Sequence, residues 1–262
     1  TGLENILFHY GLRINANLVK DAQLSGMIPL KVGNMGNKPN IQLMPWSSFP
    51  LLNGNPKNLI TKNLDAVYGR FVSTIDTISG VALRKTPLLR TSQYTQVAKA
   101  PSLLSFSSAG KDFDPAAYNA GVQTAAYLVE GKFESAYTNL TQDTNFVASS
   151  GKESAILVVG DGDVALNGVD YQSQQALPLG FDPFMKNTFA NKDFLLNAFT
   201  YLIEENSPLL ARSKSIQLRP LDKAKIQADG TFYQVINIAV PLLFATLLSL
   251  AVVFYRKRKY NR

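Results

Sequence analysis

The chain has 262 residues, of which 46% are hydrophobic and 17% charged, with one histidine and no cysteine. This length allows one large α/β domain or two small ones, and the composition excludes a disordered chain and a disulfide scaffold. Cys-ligated metal sites and His clusters within one chain are also excluded. The net charge is +7, but +5 of it lies in the last seven residues, so the remaining chain gives no indication of nucleic-acid binding.

A helix is predicted at the start of the chain, where four apolar residues recur at helical spacing: Leu3, Ile6, Leu7 and Tyr10. Gly11 is a typical residue to end it. His9 lies off the apolar stripe, so we expect it to be solvated and without a catalytic role. The sequence does not begin with Met and no secretory segment precedes this helix, so we expect the chain to begin within a longer protein.

Apolar runs predict strands at residues 12–14, 71–78, 87–91, 125–129 and 155–159. Residues 26–40 are rich in Gly, Asn and Pro and predict an excursion or a hairpin. Asn191 is expected to cap a helix whose apolar residues are Phe194, Leu195, Ala198, Phe199 and Leu202. Continuously apolar strands that alternate with helices favour an α/β fold, with a mostly parallel sheet and helices on both of its faces.

Two polar segments at strand ends are candidate ligand sites. Gly160-Asp161-Gly162-Asp163 follows the clearest buried strand, where open α/β sheets bind ligands. Its two carboxylates are ligands of the type that divalent cations prefer. Asp and Gly are also ordinary turn residues, so a structural turn is the favoured interpretation of Asp161 and Asp163. Asp76, at the end of residues 73–76, is open to the same two interpretations.

The motifs of several enzyme classes are missing. The sequence holds no GxxxxGK[ST] phosphate loop, no GxGxxG that opens a helix and no GxSxG nucleophile elbow. We therefore expect that the chain does not hydrolyse ATP, is not an enzyme and has no resident cofactor or metal. One alternative is a membrane-tethered hydrolase of the cell envelope that uses carboxylates such as Glu130, Asp161 and Asp163, whose separation the sequence does not define. Another is a purely structural role in the envelope.

Residues 211–231 are predicted to form a membrane-proximal stalk with five basic residues: Arg212, Lys214, Arg219, Lys223 and Lys225. One interpretation is a solvated segment that rests near anionic lipid headgroups. The other is a docking surface for a membrane partner, in which Leu218 and Leu221 are apolar anchors and arginine is the preferred charged anchor. Pro220 stiffens the middle of the segment, which suits packing better than a loose linker.

A transmembrane helix is predicted over residues 232–255, because 235–255 hold no charged side chain. A helix of that length spans about 31 Å, close to a bilayer core of about 30 Å. Tyr233 and Tyr255 lie at its ends, as interfacial aromatic residues do. The basic tail, 256–262, follows directly and predicts a cytoplasmic C-terminus that also contacts anionic lipid. Residues 1–210 would then form an extracytoplasmic domain.

Five segments resemble, in the same order along the chain, the gliding-motility ABC transporter accessory proteins of the GldG family. They are residues 126–135 (AYLVEGKFES), 159–167 (VGDGDVALN), 178–184 (PLGFDPF), 189–197 (FANKDFLLN) and 218–225 (LRPLDKAK). The membrane span and the basic tail follow them. The resemblance covers nearly the whole chain, although none of the segments is a catalytic signature.

The resemblance implies a non-catalytic, substrate-binding-like accessory subunit of an ABC transporter of Bacteroidetes that serves gliding motility. Its partners would be a GldA-like ATPase and a GldF-like permease. Its domain would lie in the periplasm, anchored to the inner membrane. The resemblance also implies a flavodoxin-like or glutamine-amidotransferase-like sheet, but the chain lacks the Cys and the second His that an amidotransferase needs, so this likeness carries no catalysis.

Overall fold

A computed structural model of the chain describes residues 2–110, 114–138, 145–170, 172–203 and 223–260, without the side chains of 223–231, 233 and 260. The strands in these ranges are β1 Leu12–Ile14, β2 Asn17–Asp21, β3 Ser25–Met35, β4 Lys38–Gly54, β5 Val67–Tyr68, β6 Ile75–Thr77, β7 Arg84–Arg90, β8 Thr95–Lys99, β9 Thr124–Gly131, β10 Ser154–Val159, β11 Phe181–Asp182 and β12 Asn187–Thr188. The α-helices are α1 Leu3–His9, α2 Asn191–Ile203 and α3 Lys223–Tyr260, and short 3₁₀ helices cover Phe106–Ser108 and Gly162–Ala165.

The central sheet has the strand order β10-β9-β7-β4-β3, with β5 paired to β4 as its sixth strand. Two-stranded ladders join β1 to β6, β2 to β8 and β11 to β12. Every strand pairing in the described residues is antiparallel. The prediction of an α/β fold with a mostly parallel, flavodoxin-like sheet is therefore wrong.

The error has a physical cause, since continuous apolar runs indicate burial on both faces of a strand but not its direction. Strands β9 and β10 pair antiparallel, with Tyr127 opposite Val158. On one face Leu128 packs in a cluster that includes Phe194 of α2. On the other face Val129 packs in a second cluster with Leu7 of α1 and Leu12 of β1. Both faces are covered, so the run is apolar throughout.

Several local predictions are confirmed. The first helix covers Leu3–His9, and Gly11 after it adopts a left-handed φ of 80°. The segment rich in Gly, Asn and Pro forms the β3–β4 hairpin. Strands were predicted in the regions of β1, β7, β9 and β10, although the bounds of β7, β9 and β10 differ by one to three residues.

Two local predictions are wrong. The strand expected over 71–78 is confined to Ile75–Thr77, because Phe71 adopts a left-handed φ of 56° that breaks the extended chain. The helix expected at Asn191 begins there, but its side chain does not cap the helix. The Asn191 amide instead pairs with β5, accepting from the Tyr68 N–H at 2.9 Å and donating to the Tyr68 carbonyl at 2.9 Å.

The chain divides into two compact units, Thr1–Lys214 and Ser215–Arg262. The second unit contains α3, in which Gln234–Lys259 is long and apolar enough to cross a membrane. It is the one such helix among the residues that the structure describes. Pro241 lies within this helix, as membrane helices tolerate.

Candidate functional site

The Asp161 turn lies directly after β10, and the Asp161 side chain is 9% exposed. Its Oδ2 accepts a hydrogen bond from the Arg70 backbone N–H at 2.8 Å, and its Oδ1 accepts one from the Asp163 N–H at 2.8 Å. The second bond starts the 3₁₀ helix Gly162–Ala165. A Cβ at Gly160 would overlap the Ser73 carbonyl, so this close approach of two chain segments requires glycine.

The electrostatics of this turn follow from its burial. Desolvation raises the pKa of the Asp161 carboxyl, while the two backbone N–H donors oppose the shift. The expectation of a ligand here relied on the carboxyl edge of a parallel sheet, and β10 is instead the edge strand of an antiparallel one. No three His, Cys, Asp or Glu side chains among the described residues are grouped as metal ligands would be.

Asp76 lies on β6 and is paired with β1. Its carboxylate accepts from the Arg13 guanidinium at 2.9 Å, and the hydrogen bonds from Arg13 and Asn15 lower the pKa of Asp76. Both members of this ion pair have half or more of their side-chain surface exposed, so its contribution to stability is small. The pair lines an open cavity of about 460 Å³, to which Asn17 and Lys99 also contribute.

Glu130 lies at the opposite end of the β9–β10 pair from Asp161. It is opposite Ala155 of β10, whereas Ala126 is opposite Val159 near the Asp161 turn. Four strand residues span about 13 Å, more than the separation of about 5–9.5 Å between paired catalytic carboxylates of glycosidases. Glu130 instead pairs with Arg84 at 3.0 Å and accepts from the Tyr201 hydroxyl at 2.7 Å. Glu130 and Asp161 therefore form no catalytic pair.

The other predicted residues lie outside the Asp161 turn. His9 is exposed, with Nε2 3.1 Å from the Glu134 carbonyl oxygen. Most of the proposed stalk contacts lie outside the described residues: Arg212, Lys214, Leu218, Arg219 and Leu221. Lys223 and Lys225 lie in the first turn of α3, where side chains are not described. The stalk docking surface therefore stays a prediction.

An aromatic cluster that the sequence analysis missed adjoins the Asp161 turn. We use the name "aromatic cluster" for six rings and one arginine: Trp46, Phe49, Tyr68, Phe71, Phe106, Phe189 and Arg70. The Trp46 ring centroid lies 4.8 Å from that of Phe49, 5.8 Å from that of Phe71 and 5.1 Å from that of Phe106. Tyr68 stacks on Phe189 at 5.0 Å. These separations are typical of favourable ring pairs.

Arg70 connects this cluster to the Asp161 turn. Its guanidinium lies 5.2 Å from the Tyr68 ring centroid and 5.7 Å from that of Phe49, within the range of cation–π attraction. Its backbone N–H is the one held by Asp161. Burial and the Asp182 carboxylate raise the pKa of the Tyr68 hydroxyl. Asp161, which was predicted as a possible ligand residue, thus holds the backbone of Arg70 by a hydrogen bond and so helps to position the Arg70 side chain.

The cluster has a buried base and an exposed rim. Trp46 is 2% exposed and its Nε1 donates to the Ser108 hydroxyl at 3.1 Å. Phe71 is 41% and Phe106 62% exposed. Phe71 holds a positive φ, which is strained for a bulky residue and found most often at functional sites. Two exposed phenylalanines beside a half-buried arginine, over a packed base, match the residue types that are enriched at protein interfaces.

The structure thus defines a class of protein: a mostly antiparallel sheet domain with an exposed aromatic cluster, on a chain that also carries a helix of membrane-spanning length. A family model described as "ABC-type uncharacterized transport system" matches residues 1–198. The chain belongs to this family of auxiliary components of ABC transport systems. Comparisons with the curated proteins and with the solved structures gave no match.

Proposed function

We propose that the chain is a non-catalytic, membrane-anchored accessory subunit that docks on the other subunits of its ABC transport system. The family match over residues 1–198 is the observation that carries this proposal. These 262 residues hold no GxxxxGK[ST] phosphate loop, which supports a separate ATPase subunit as the source of energy. The resemblance to GldG further supports a role in gliding motility in Bacteroidetes, with a GldA-like ATPase and a GldF-like permease as partners.

Within this function, the aromatic cluster is the docking surface. A partner would contact Phe71 and Phe106, which are exposed, and the half-buried Arg70 beside them, because the base of the cluster is already packed. Preorganised side chains lose little freedom on binding, so such a surface binds more tightly for the same area. The stalk residues, from Arg212 to Lys225, are proposed as a second contact close to the membrane.

The proposed topology has residues 1–210 in the periplasm, a stalk over 211–231, an inner-membrane span over 232–255 and a cytoplasmic tail. The basic residues directly after the span support it, since Lys and Arg are enriched on the cytoplasmic side. Protease added to intact spheroplasts should digest the domain and spare a tag placed after Arg262. Loss of the tag with survival of the domain would reverse the orientation.

The Asp161–Asp163 turn is proposed to be structural, because both Asp161 oxygens already accept backbone hydrogen bonds. Adding Mg²⁺ or Ca²⁺ should then leave the melting temperature unchanged, since a ligand stabilises only by binding the folded state. A rise in melting temperature that the Asp161→Asn variant lacks would show a bound cation and contradict this assignment.

Co-purification tests the function itself. The full chain, tagged after Arg262 and extracted in mild detergent, should retain an ABC ATPase and a membrane permease, identified by mass spectrometry. The matched control is an equally tagged, unrelated membrane protein with one span. Recovery of the chain without either subunit, also after chemical crosslinking in intact cells, would contradict a role as an ABC transporter subunit.

A further inference from the structure

The outer part of the β3–β4 hairpin extends away from the rest of the domain. We call residues 31–43 the arm. Each residue from 31 to 39 is exposed, as are residues 41 to 43, so this part of two long strands covers no core. Four large apolar side chains lie on it, with exposed fractions of 44%, 72%, 60% and 42%: Val32, Met35, Ile41 and Leu43. So many exposed large apolar side chains on one short segment make the arm a candidate interaction site.

The register of the hairpin distributes these side chains over both faces of the arm. Met44 lies opposite Ile28 and packs beside Trp46 in the third core cluster. Ile41 and Leu43 are odd-numbered neighbours on β4, so they point to the face away from Met44. Met35 is opposite Lys38, on the same face as Met44. Apolar groups therefore surround the arm rather than cover one side of it.

The charges of the arm are all positive. Lys31 and Lys38 are its ionisable residues, and no Asp or Glu occurs between Asp21 and Asp65. The imbalance extends along the chain: residues 22–111 hold ten Lys and Arg against two Asp, whereas residues 112–205 hold thirteen Asp and Glu against four Lys. These charges suit a partner that offers negative charge together with apolar groups.

We propose that the arm inserts its apolar tip into the headgroup region of an anionic lipid bilayer. Lipid surrounds an inserted tip, which suits apolar residues on both faces, whereas a folded partner would cover one face. Lysine stems lie along apolar surface while their ammonium groups reach the phosphates, and lysine is depleted at protein interfaces. The helix of membrane-spanning length in the same chain supports a bilayer as the partner.

The backbone limits the depth of insertion. Strand β3 is the edge of the central sheet, and unpaired edge N–H and C=O groups cannot enter the hydrocarbon core. The arm therefore stays in the hydrated headgroup zone, with side chains alone reaching the acyl boundary. This inference goes beyond the proposed function, since it holds for the chain in lipid without any other subunit.

The test uses the full chain in lipid nanodiscs and its natural lack of cysteine. A Met35→Cys variant carries an environment-sensitive fluorophore, and a Leu166→Cys variant, at a position 63% exposed and outside the arm, is the matched control. The measurement is quenching by lipids with a spin label near the headgroup. In discs rich in phosphatidylglycerol we expect quenching at position 35 and none at position 166.

The lysines provide a second experiment. Each Lys contributes about fivefold to partitioning onto an anionic surface, so Lys31→Gln with Lys38→Gln should lower the ratio of inserted to free probe by about 25-fold. An unchanged urea midpoint shows that this variant is folded.

Three outcomes would each overturn the proposal. They are equal quenching at positions 35 and 166, equal insertion into uncharged discs, and quenching that appears only when the permease is added. The last outcome would make the arm a protein docking surface.

Discussion

The aromatic cluster and the arm are neighbours along β4, and both expose apolar side chains to water, but they differ in what lies beneath. Phe71 rests on Trp46 and Phe49, whose rings lie 5.8 Å and 5.2 Å away. In the arm, the exposed Ile41 lies on a stretch of hairpin in which no residue from 31 to 43 is buried. Similar exposure therefore occurs in two different settings. The exposed rings of the aromatic cluster lie on a packed core, whereas the exposed side chains of the arm lie on a hairpin that covers no core.

This difference predicts different partners. A preorganised rim suits a folded surface of complementary shape, because little side-chain freedom is lost on binding. A thin arm with apolar groups on both faces suits a fluid phase that adapts to it. The charged groups follow the same division, with arginine in the cluster and lysine in the arm. Arginine pairs with planar, well-defined partners, and lysine is a hydrated point charge.

The largest expected effect is on the free energy of unfolding, which should depend on the aromatic cluster but not on the arm. Trp46→Ala removes the buried centre of the aromatic cluster and should lower the free energy of unfolding by about 3–5 kcal/mol. The measurement is urea unfolding of the chain in detergent. It is followed by circular dichroism, because Trp46 is the single tryptophan and its substitution removes the tryptophan fluorescence. A loss below 1 kcal/mol would mean that the cluster is no more rigid than the arm and would remove the basis of the comparison.

The base of the cluster is fixed to α2 through Asn191, which is 2% exposed. Asn191→Ala removes two hydrogen bonds to the Tyr68 backbone and one to the Val164 carbonyl, and leaves the buried Tyr68 N–H without an acceptor. We expect a loss of about 2–3 kcal/mol by the same unfolding measurement. Asn197→Ala, which removes one bond to the Ile60 carbonyl, is the control and should cost about 1 kcal/mol.

A smaller, pH-dependent effect is expected where α2 meets β9. Burial and the Glu130 carboxylate raise the pKa of Tyr201 to about 12. Because the folded value is above the ordinary value of 10, the contribution of Tyr201 is complete below pH 10 and is lost as the pH rises towards 12. Tyr201→Phe should cost about 1 kcal/mol at pH 8, and the cost should shrink above pH 10. The exposed Tyr137→Phe variant should change nothing, and a cost independent of pH would contradict the assignment.

The smallest effect is predicted for the arm. Met35→Ser and Ile41→Ser each change a side chain that is 72% or 60% exposed. The free energy of unfolding should shift by less than about 0.5 kcal/mol, as for surface positions elsewhere. A loss above 1 kcal/mol in the same urea experiment would mean that the arm packs on the domain, and the contrast with the cluster would then fail.

Local features of the fold could be predicted from the sequence because their causes are local. The end of α1 follows from Gly11, the β3–β4 hairpin from its turn residues, and the span in α3 from the lack of charge between 235 and 255. The direction of the strands could not be predicted. Residues 125–129 and 155–159 are apolar because both faces of the sheet are covered, and an antiparallel sheet covered by α1 and α2 produces the same pattern as a parallel one.

The candidate site was predicted only in part, for a similar reason. Asp161 was identified because its Gly-Asp turn follows a buried strand, but its contact is the Arg70 backbone, 91 positions away. The aromatic rings come from four distant stretches of the chain, so no spacing connects them. One local signal exists: Tyr68, Arg70 and Phe71 place two rings and a cation within four residues. The apolar character of residues 71–78 favours a strand, which would alternate the side chains and not group them.

Site-specific photo-crosslinking tests the central claim that the aromatic cluster docks on the transport system. A photoreactive phenylalanine replaces Phe71 in the full chain within cells, and the same group replaces Phe184, 52% exposed and outside the cluster, as the control. The account predicts a crosslink from position 71 to an ABC permease or ATPase subunit and none from position 184. No adduct from position 71, or equal adducts from both positions, would contradict it.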